Sequence, residues 1–492
     1  MWALGINDAV EYAATLPFVD ISRIGVSGHS NGALSANLAV VHDNQRPQPL
    51  ISSVVLVAND AFYTDDAGAW TNIYGHRDVA IIADRYDEFF FNGGNLEGKP
   101  ATQPARDFLS SPEARRFLSF GLEPPAGFVA TSGVVSSQAL DVTTAHRVIS
   151  MIDGEHALAT INPAAISALI DFFGDSLHPP RNLPGSDQIW GAKLAFNALG
   201  LVALGVLITL LAGTLMRCNA PAPQVAPLTR LTGRRRVLWW VFQVVGVAFS
   251  AFSYLWIAGN TTVMGLALQL GPSGVAIGPV FIIGLWAAAN GIFLLVVNAW
   301  GWLHPAPGST RAPQGGRSAA RSLVRAVLVA LATAAVAYLI VATAQYFFTS
   351  DVRFWVVAFK ATTPEKFGYL FAYLPLYLVY FVPLAVVTNT ANRVHLAGGE
   401  ATNTALTMAI AVAGPVILVA YQYITMAVTG YPAPGFMGLF SIWLFPLIVI
   451  IPTAVLVSRR LYLRTGSTYL GGLVMAVIAT LISVSNSLMV IG

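Results

Sequence analysis

One five-residue segment, Gly28-His29-Ser30-Asn31-Gly32, has the spacing of a nucleophilic serine on a tight turn. It follows the apolar run Ile24–Val26 and precedes the helical pattern Leu34–Val41, so it joins a predicted strand to a predicted helix. Such a turn leaves room only for hydrogen at the flanking glycines and exposes the serine hydroxyl at the carboxyl end of the sheet. We expect Ser30 to be a nucleophile and the Asn31 N–H group, at a helix amino terminus, to bind the oxyanion.

A serine nucleophile needs a general base and an acid that orients this base, and two later positions fit the roles. Asp87 follows the predicted strand Val79–Ala83 and therefore lies at the same edge of the sheet as the serine; Asp84 is the alternative acid. His156 follows the last predicted strand, Val148–Ile152, and is the candidate base. Other histidines are disfavoured because they precede the acid, begin a strand, lie in the linker or point away beside the nucleophile: His42, His76, His146, His178 and His29.

The elements that must position these side chains lie in residues 1–186, where helical and strand patterns alternate. A further strand is predicted at Ile51–Val57, and helices are predicted at Trp2–Leu16 and Ala164–Phe173. Strands separated by helices are typical of a parallel sheet with helices packed on it. Residues 92–135 are polar and rich in Gly and Pro, with one helix around Pro112–Phe120, and are interpreted as an insertion or cap over the sheet.

Residues 1–176 resemble the carboxyl-terminal half of an α/β-hydrolase. The resemblance rests on the Gly28–Gly32 turn after the fifth strand of that fold, on Asp87 after the seventh and on His156 before the last helix. It implies a Ser30-Asp87-His156 triad that cleaves an ester, thioester or amide, as esterases and lipases do. The fusion to a membrane domain resembles uncharacterised bacterial membrane-anchored hydrolases, and neither resemblance specifies a substrate.

The resemblance also implies strands that residues 1–23 do not supply. That fold places earlier strands beside the strand that leads into the serine turn, here called the elbow strand. It takes a second oxyanion donor from the loop after its third strand. We expect the hydrolase domain to be partial, with the edge of its elbow strand exposed and the missing strands encoded upstream. Loss of one oxyanion donor costs about 10²–10³ in rate.

The remaining residues, 187–492, read as a membrane domain. Hydrophobic residues make up 55% of the whole chain and charged residues 10%, against about 25% charged in soluble proteins. Eight apolar stretches approach the ~20 residues that cross a bilayer as a helix, near 191–215, 237–258, 274–300, 323–347, 367–388, 404–428, 437–457 and 468–490. Residues 351–366 carry Arg353, Trp355 and Lys360 and are predicted to form an interfacial amphipathic helix.

Basic residues are unevenly distributed over the predicted loops, and this sets the expected orientation. One set of loops carries twelve: Arg217, Arg230, Arg234, Arg235, Arg236, Arg311, Arg317, Arg321, Arg393, Arg459, Arg460 and Arg464. The opposite loops carry three, which are Arg353, Lys360 and Lys366. We therefore expect the first set to be cytoplasmic and residues 1–188 to lie outside the cytoplasm, on a bacterial plasma membrane.

Composition also restricts the partners and cofactors. Residues 1–188 hold 21 acidic and 10 basic residues, and residues 189–492 hold 3 acidic and 17 basic residues, so the basic part is the apolar one. Nucleic-acid binding is not expected, because no basic surface faces water. The single cysteine, Cys218, excludes an internal disulfide and a cysteine metal site, and no phosphate-binding glycine loop or metal cluster is recognised. We expect no cofactor.

Two functions remain open at this point. The first is a membrane-anchored serine hydrolase, or an acyltransferase that passes the acyl group to an alcohol, acting on a small-molecule or lipid-like ester or amide. The second is a transporter or membrane scaffold with a non-catalytic hydrolase-like outer domain. The retained order of serine, acid and histidine favours the hydrolase, whereas the partial sheet favours the scaffold.

Overall fold

The chain divides into two compact units. The first unit comprises Met1–Ile189 and Tyr423–Ala433, and the second comprises Trp190–Gln422 and Pro434–Gly492. The computed structural model describes residues 4–94, 101–140, 143–218, 223–263, 265, 278–303, 317–395, 398–434 and 438–487. The predicted domain boundary lies between residues 186 and 187, and the prediction did not include Tyr423–Ala433 in the first domain.

A five-stranded sheet forms the middle of the first unit, in the order β1-β2-β3-β5-β4. Its parallel strands are β1 (Ile24–His29), β2 (Ile51–Val57), β3 (Asp78–Tyr86) and β5 (Thr143–Glu155). Strand β4 (Ser136–Leu140) was not predicted and pairs antiparallel with β5. Within the described residues, β2 is the only partner of β1, so the elbow strand lies at an edge of the sheet.

Helices cover both faces of this sheet. Helices α1 (Leu4–Ala14) and α2 (Asn31–Asp43) pack on one face, and α4 (Pro163–Leu177) packs on the other. Neighbouring residues of β2 alternate between the faces, because Val54 and Leu56 join the core beneath α2 while Val55 and Val57 join the core beneath α4. Strands buried on both faces need apolar residues at every position, which explains the continuous apolar runs of the sequence.

The insertion between β3 and β4 is anchored to the core under α2. It contains a 3₁₀ turn (Ala105–Ser110) and α3 (Pro112–Leu118), whose first turn is capped by the Ser111 hydroxyl group. Phe108 and Phe117 are buried in the same core as the sheet. The helix predicted around Pro112–Phe120 is therefore present; residues 95–100 of the predicted cap lie outside the described residues.

The second unit is built from helices with the character of a multi-pass membrane protein. Its helices are α5 (Trp190–Arg217), α6 (Gly233–Gly259), α7 (Gly278–Leu303), α8 (Arg317–Phe348), α9 (Pro364–Asn389), α10 (Glu400–Thr429), α11 (Gly438–Thr465) and α12 (Leu470–Asn486). Seven of the helices in the described part of the chain, α5 to α11, are long and apolar enough to cross a bilayer. The eighth predicted span corresponds to α12, which has 17 described residues and falls short of the ~20 that a span needs.

Two predictions about the second unit are wrong. Residues 351–366 do not form an interfacial helix, because β7 (Val352–Phe354) and β8 (Val357–Phe359) make a hairpin that turns at Trp355 with φ +48°. Valine and phenylalanine favour extended backbone, which explains this outcome. Three arginines that the prediction placed in one loop, Arg459, Arg460 and Arg464, lie within a helix, since α11 continues to Thr465. Two short strands, β6 (Thr229–Arg230) and β9 (Val394–His395), pair in parallel.

Candidate active site

Ser30 lies on the turn between β1 and α2, in the position that its sequence motif predicts. Its backbone has φ 57° and ψ −123°, a conformation that costs a side chain other than glycine about 1–3 kcal/mol. A Cβ atom on Gly28 would overlap the carbonyl group of Gly32, so the turn requires glycine at position 28. Gly32 faces open space, and the prediction that both flanking positions have room only for hydrogen is wrong for this residue.

Neighbouring groups hold this strained turn in place. The Ser30 N–H group donates to the Val57 carbonyl oxygen at 2.9 Å, which ties the turn to the end of β2. The Asn59 side-chain amide donates to the Ser30 carbonyl oxygen at 2.8 Å. Asn31 is the first residue of α2, where an N–H group has no acceptor within its own helix. This N–H group is therefore available to a developing negative charge next to Ser30.

The structure brings Ser30, His156 and Asp87 together from three separate segments. The Ser30 hydroxyl lies 2.8 Å from His156 Nε2, and His156 Nδ1 lies 2.9 Å from Asp87 Oδ2. With the ring proton on Nδ1, the hydroxyl donates to Nε2 and Nδ1–H donates to the carboxylate. The His156 side chain is 5% exposed and that of Asp87 is fully buried. This geometry allows the histidine to take a proton from the serine.

The loop after β3 fixes the Asp87 carboxylate. Strand β3 ends at Tyr86, so Asp87 follows it directly and not four residues beyond it, as predicted from a shorter strand. Asp87 Oδ1 accepts hydrogen bonds from the Phe89 and Phe90 N–H groups, both at 2.8 Å. The other carboxylate oxygen is thus left for His156.

The alternative acid, Asp84, has a different environment. It lies inside β3, is fully buried, and neither carboxyl oxygen has a hydrogen-bond partner among the described residues. Burial, and then the nearby Asp87 and Glu155 carboxyl groups, raises the pKa of Asp84 to about 8. The structure therefore pairs His156 with Asp87, and Asp84 is a buried carboxyl group that stays protonated at neutral pH.

Aromatic rings enclose the His156 imidazole. The Phe89 ring meets it edge to face with centroids 4.7 Å apart, and the Phe90 ring stacks on it at 5.6 Å. His29 does not point away from the site, because its Nε2–H donates to the His156 carbonyl oxygen at 2.8 Å. Burial and the nearby His156 lower the pKa of His29, which keeps this second imidazole neutral. The rings restrict His156 to one orientation.

Four buried carboxyl groups lie close to one another at the site, and we name Asp84, Asp87, Glu88 and Glu155 the acid cluster. Glu88 Oε2 accepts a hydrogen bond from the backbone N–H group of His156 at 3.2 Å. The Tyr423 hydroxyl lies 2.7 Å from Glu88 Oε1 and 3.1 Å from Glu155 Oε2, within the first unit. Burial and the neighbouring carboxyl groups raise the pKa of Glu88 well above its usual value. The described residues contain no group of three or more side chains arranged to hold a metal ion.

Sequence reasoning missed several of these contacts. Glu88 and the two phenylalanines follow Asp87 directly, so the segment Asp87–Phe90 could have been examined as one unit. His29 precedes the nucleophile and was dismissed on side-chain direction alone. Tyr423 lies more than 260 residues from His156 along the chain, and no local signal identifies it.

A second polar cluster lies in the second unit, and we name Arg393, Glu400, Asn403 and Arg459 the arginine cluster; all but the partly exposed Glu400 are buried. Arg393 Nη1 lies 2.9 Å from Glu400 Oε1, and Arg459 Nη2 donates to Asn403 Oδ1 at 2.8 Å and to the Thr388 carbonyl oxygen at 2.7 Å. Arg459 is 1% exposed, and its Nε atom lies 3.5 Å from Glu400 Oε1. The cluster connects the ends of α9, α10 and α11.

Comparisons with models of protein families, with curated proteins and with solved structures found no match to this chain. The geometry of the site therefore carries the functional argument by itself.

Proposed function

We propose that the protein is a serine hydrolase that uses Ser30, His156 and Asp87. The observation that carries this proposal is the continuous pair of hydrogen bonds from the Ser30 hydroxyl through His156 to Asp87, at 2.8 and 2.9 Å. A serine hydroxyl hydrogen-bonded to an imidazole that a carboxylate orients is the arrangement that activates serine for nucleophilic attack.

The proposed reaction has two half-reactions. The Ser30 oxygen attacks the carbonyl carbon of an ester, thioester or amide while His156 Nε2 takes the hydroxyl proton. The oxyanion accepts a hydrogen bond from the Asn31 N–H group at the start of α2, and the proton on His156 passes to the leaving group. Water, or an alcohol in an acyl transfer, then attacks the acyl-serine, with His156 again taking the proton and returning it to Ser30.

Members of the acid cluster have different roles in this reaction, and the negative charge is carried by Asp87. Asp87 stabilises the imidazolium that forms when His156 is protonated and keeps the neutral ring in the tautomer that accepts from Ser30. Glu88 holds the backbone of His156. Burial raises the pKa of Asp84 to about 8, so this carboxyl group is uncharged near neutral pH and does not compete with Asp87 for the imidazolium. Burial also raises the pKa of Glu88, which disfavours a second negative charge beside Asp87.

We propose an α/β-hydrolase-like fold for the first unit. The support is a mainly parallel sheet with helices on both faces, in which Ser30, Asp87 and His156 follow the carboxyl ends of β1, β3 and β5, in the chain order of that family. The edge position of β1 agrees with a partial sheet.

We further propose that the first unit lies on the extracytoplasmic face of a bacterial plasma membrane. The support is the excess of arginine in one set of predicted loops. The segment Tyr423–Ala433 belongs to the first unit and covers the end of the sixth predicted span together with the residues after it. In this topology the residues after that span are expected on the same side as residues 1–188. Seven spanning helices exceed what anchoring needs, which favours a lipophilic substrate from the cell envelope.

The test is ester hydrolysis by the purified full-length chain. A series of p-nitrophenyl esters with acyl chains of increasing length is measured with the wild type, Ser30→Ala and Ser22→Ala, the last being an exposed serine outside the site. We expect turnover to fall by about 10⁴-fold or more in Ser30→Ala and to stay unchanged in Ser22→Ala. Equal turnover in wild type and Ser30→Ala would remove the proposal and favour a non-catalytic scaffold or transporter.

A further inference from the structure

A groove of about 650 Å³ opens on the outside of the second unit, between α5, α8 and the start of the β7–β8 hairpin. Its buried lining includes Leu204 and Val341, and its exposed lining includes Phe196, Leu207 and Phe348. A volume of this size is typical of sites that hold a small molecule. These exposed apolar side chains lie on helices that are long and apolar enough to cross a bilayer, so lipid is the expected medium around the groove.

The groove has the length of one leaflet. Its lining on α5 extends from Phe196 to Leu207, which corresponds to about 16 Å along a helix. This is close to half of the ~30 Å hydrocarbon core of a bilayer. One acyl chain of a single leaflet therefore matches the groove in length as well as in polarity.

Polar and cationic groups gather at one end of the groove. Asn197, Ser350 and Asp351 line this end, and Asp351 forms an ion pair with Arg353. Lys360 follows Phe359, which pairs with Val352 across the β7–β8 hairpin, so Lys360 lies at the same end of the groove as Asp351. Two cations, Arg353 and Lys360, thus accompany one carboxylate here. Lys193 lies four residues before Asn197, so the two share one face of α5.

This concentration of charge is unusual for its side of the protein. Of the three basic residues in the predicted outer loops, Arg353 and Lys360 both lie at this end of the groove. An anionic phosphate at the headgroup level would neutralise them, while the acyl chain below it fills the apolar part.

We propose that this groove binds a phospholipid of the outer leaflet, with one acyl chain along α5 and α8 and the phosphate near Lys193, Arg353 and Lys360. This proposal does not depend on the hydrolase chemistry of Ser30. It assigns to the second unit a binding role that goes beyond anchoring.

The test is photo-crosslinking of the full-length chain in dodecyl maltoside micelles, which contain no phosphate. The micelles contain a trace of phosphatidylglycerol with a diazirine in its acyl chain, and mass spectrometry locates the labelled residues. We expect labelling to concentrate on the groove residues of α5 and α8 over the equally exposed apolar face of α6 around Val244 and Phe252. Labelling spread evenly over both faces would overturn the proposal.

Two variants narrow the groove, and a third is their control. Ala203 and Ala344 line the groove, whereas Ala335 is exposed on α8 outside it. Replacing either lining alanine by phenylalanine should lower groove labelling by about tenfold, because the chain loses contact with several methylenes. Ala335→Phe should leave it unchanged. Equal labelling in all three variants would contradict the assignment.

The role of the phosphate is tested on the same chain by competition. Unlabelled phosphatidylglycerol should displace the probe, and diacylglycerol with the same acyl chains should displace it poorly. Lys193→Gln should weaken the phosphatidylglycerol competition by about fivefold and leave that of diacylglycerol unchanged. The comparison of the two lipids on the wild-type chain does not require any variant to fold. If both lipids displace the probe from the wild type equally well, the cationic end does not recognise phosphate and the proposal fails.

Discussion

The two units each bury a polar cluster, and the clusters differ in the chemistry that they allow. The acid cluster surrounds a histidine that lies between a serine hydroxyl and a carboxylate. The arginine cluster holds two guanidinium groups, a carboxylate and an amide, whose described contacts join helix ends to one another. Buried charge alone therefore does not identify a reactive site. What distinguishes the first cluster is a nucleophile next to its base.

The largest expected difference within the first unit concerns Asp87 and Asp84. Asp87→Asn should lower ester turnover by about 10⁴-fold, because an amide in this position favours the wrong tautomer of His156. Asp84→Asn is the matched control and should keep turnover close to that of the wild type, since the Asp84 side chain has no hydrogen bond to the triad and its backbone contact with the Asp87 N–H group is retained. Steady-state kinetics of both variants distinguishes the two carboxyl groups, and loss of activity in Asp84→Asn alone would reverse the assignment.

Substitutions in the arginine cluster should lower the stability of the fold and leave ester turnover unchanged. Arg459→Met leaves buried acceptors at Thr388 and Asn403 without a donor, and breaking such a network costs about 3–5 kcal/mol. The neighbouring Arg460 is exposed, so Arg460→Met is the matched control and should keep wild-type stability. Thermal unfolding in detergent measures the stability, and ester turnover per folded molecule should remain unchanged in both variants. A loss of turnover in folded Arg459→Met would show that the two clusters are not separate in function.

A smaller effect is expected from substitutions in the turn that carries Ser30, where Gly32 is the control for Gly28. Gly28→Ala places a methyl group into the Gly32 carbonyl, and the backbone shift should cost about 1–3 kcal/mol of stability and displace Ser30. Gly32→Ala meets open space and should retain both stability and turnover. Denaturation curves and turnover of the two variants test this prediction. Equal behaviour would mean that the turn does not depend on close packing at position 28.

The smallest expected effect is on the pH dependence of stability. The pKa of Asp84 is about 8 in the folded chain and near 4 when unfolded, so the folded state holds more protons between these values. Stability should therefore fall as pH rises through this range, by up to about 1.4 kcal/mol per pH unit from this group. Asp84→Asn should reduce that slope, measured as the unfolding temperature between pH 5 and 9. An unchanged slope would contradict a buried, protonated Asp84.

The sequence predicted the parts of the site that follow from local rules. The strands of a parallel sheet end at one edge, so Ser30, Asp87 and His156 could be placed near each other from the strand ends alone. Extension of β3 to Tyr86 could not be predicted from its polar residues. It results from pairing with β5, where Tyr86 lies opposite Glu155, and tertiary pairing overrides local preference here.

Other features depend on contacts that no sequence window contains. The two N–H groups that hold Asp87 belong to a loop whose path is set by the packing of Phe90 and Phe91 on the core. The contact of Tyr423 with Glu88 joins segments more than 300 residues apart. The hairpin at Val352–Phe359 was mistaken for a helix because its aromatic and basic residues also fit a helical period.

The central claim, that Ser30 is a nucleophile activated by His156, is tested most directly by reaction with a fluorophosphonate. In this reaction the Ser30 oxygen bonds to phosphorus, fluoride leaves, and His156 takes the hydroxyl proton. The full-length chain is labelled, digested and mapped by mass spectrometry, with His156→Ala as the variant that lacks the base. We predict one adduct, on Ser30, that forms rapidly in the wild type and is nearly lost in His156→Ala. A folded wild-type chain that forms no adduct on Ser30, or forms it equally fast without His156, would contradict the account.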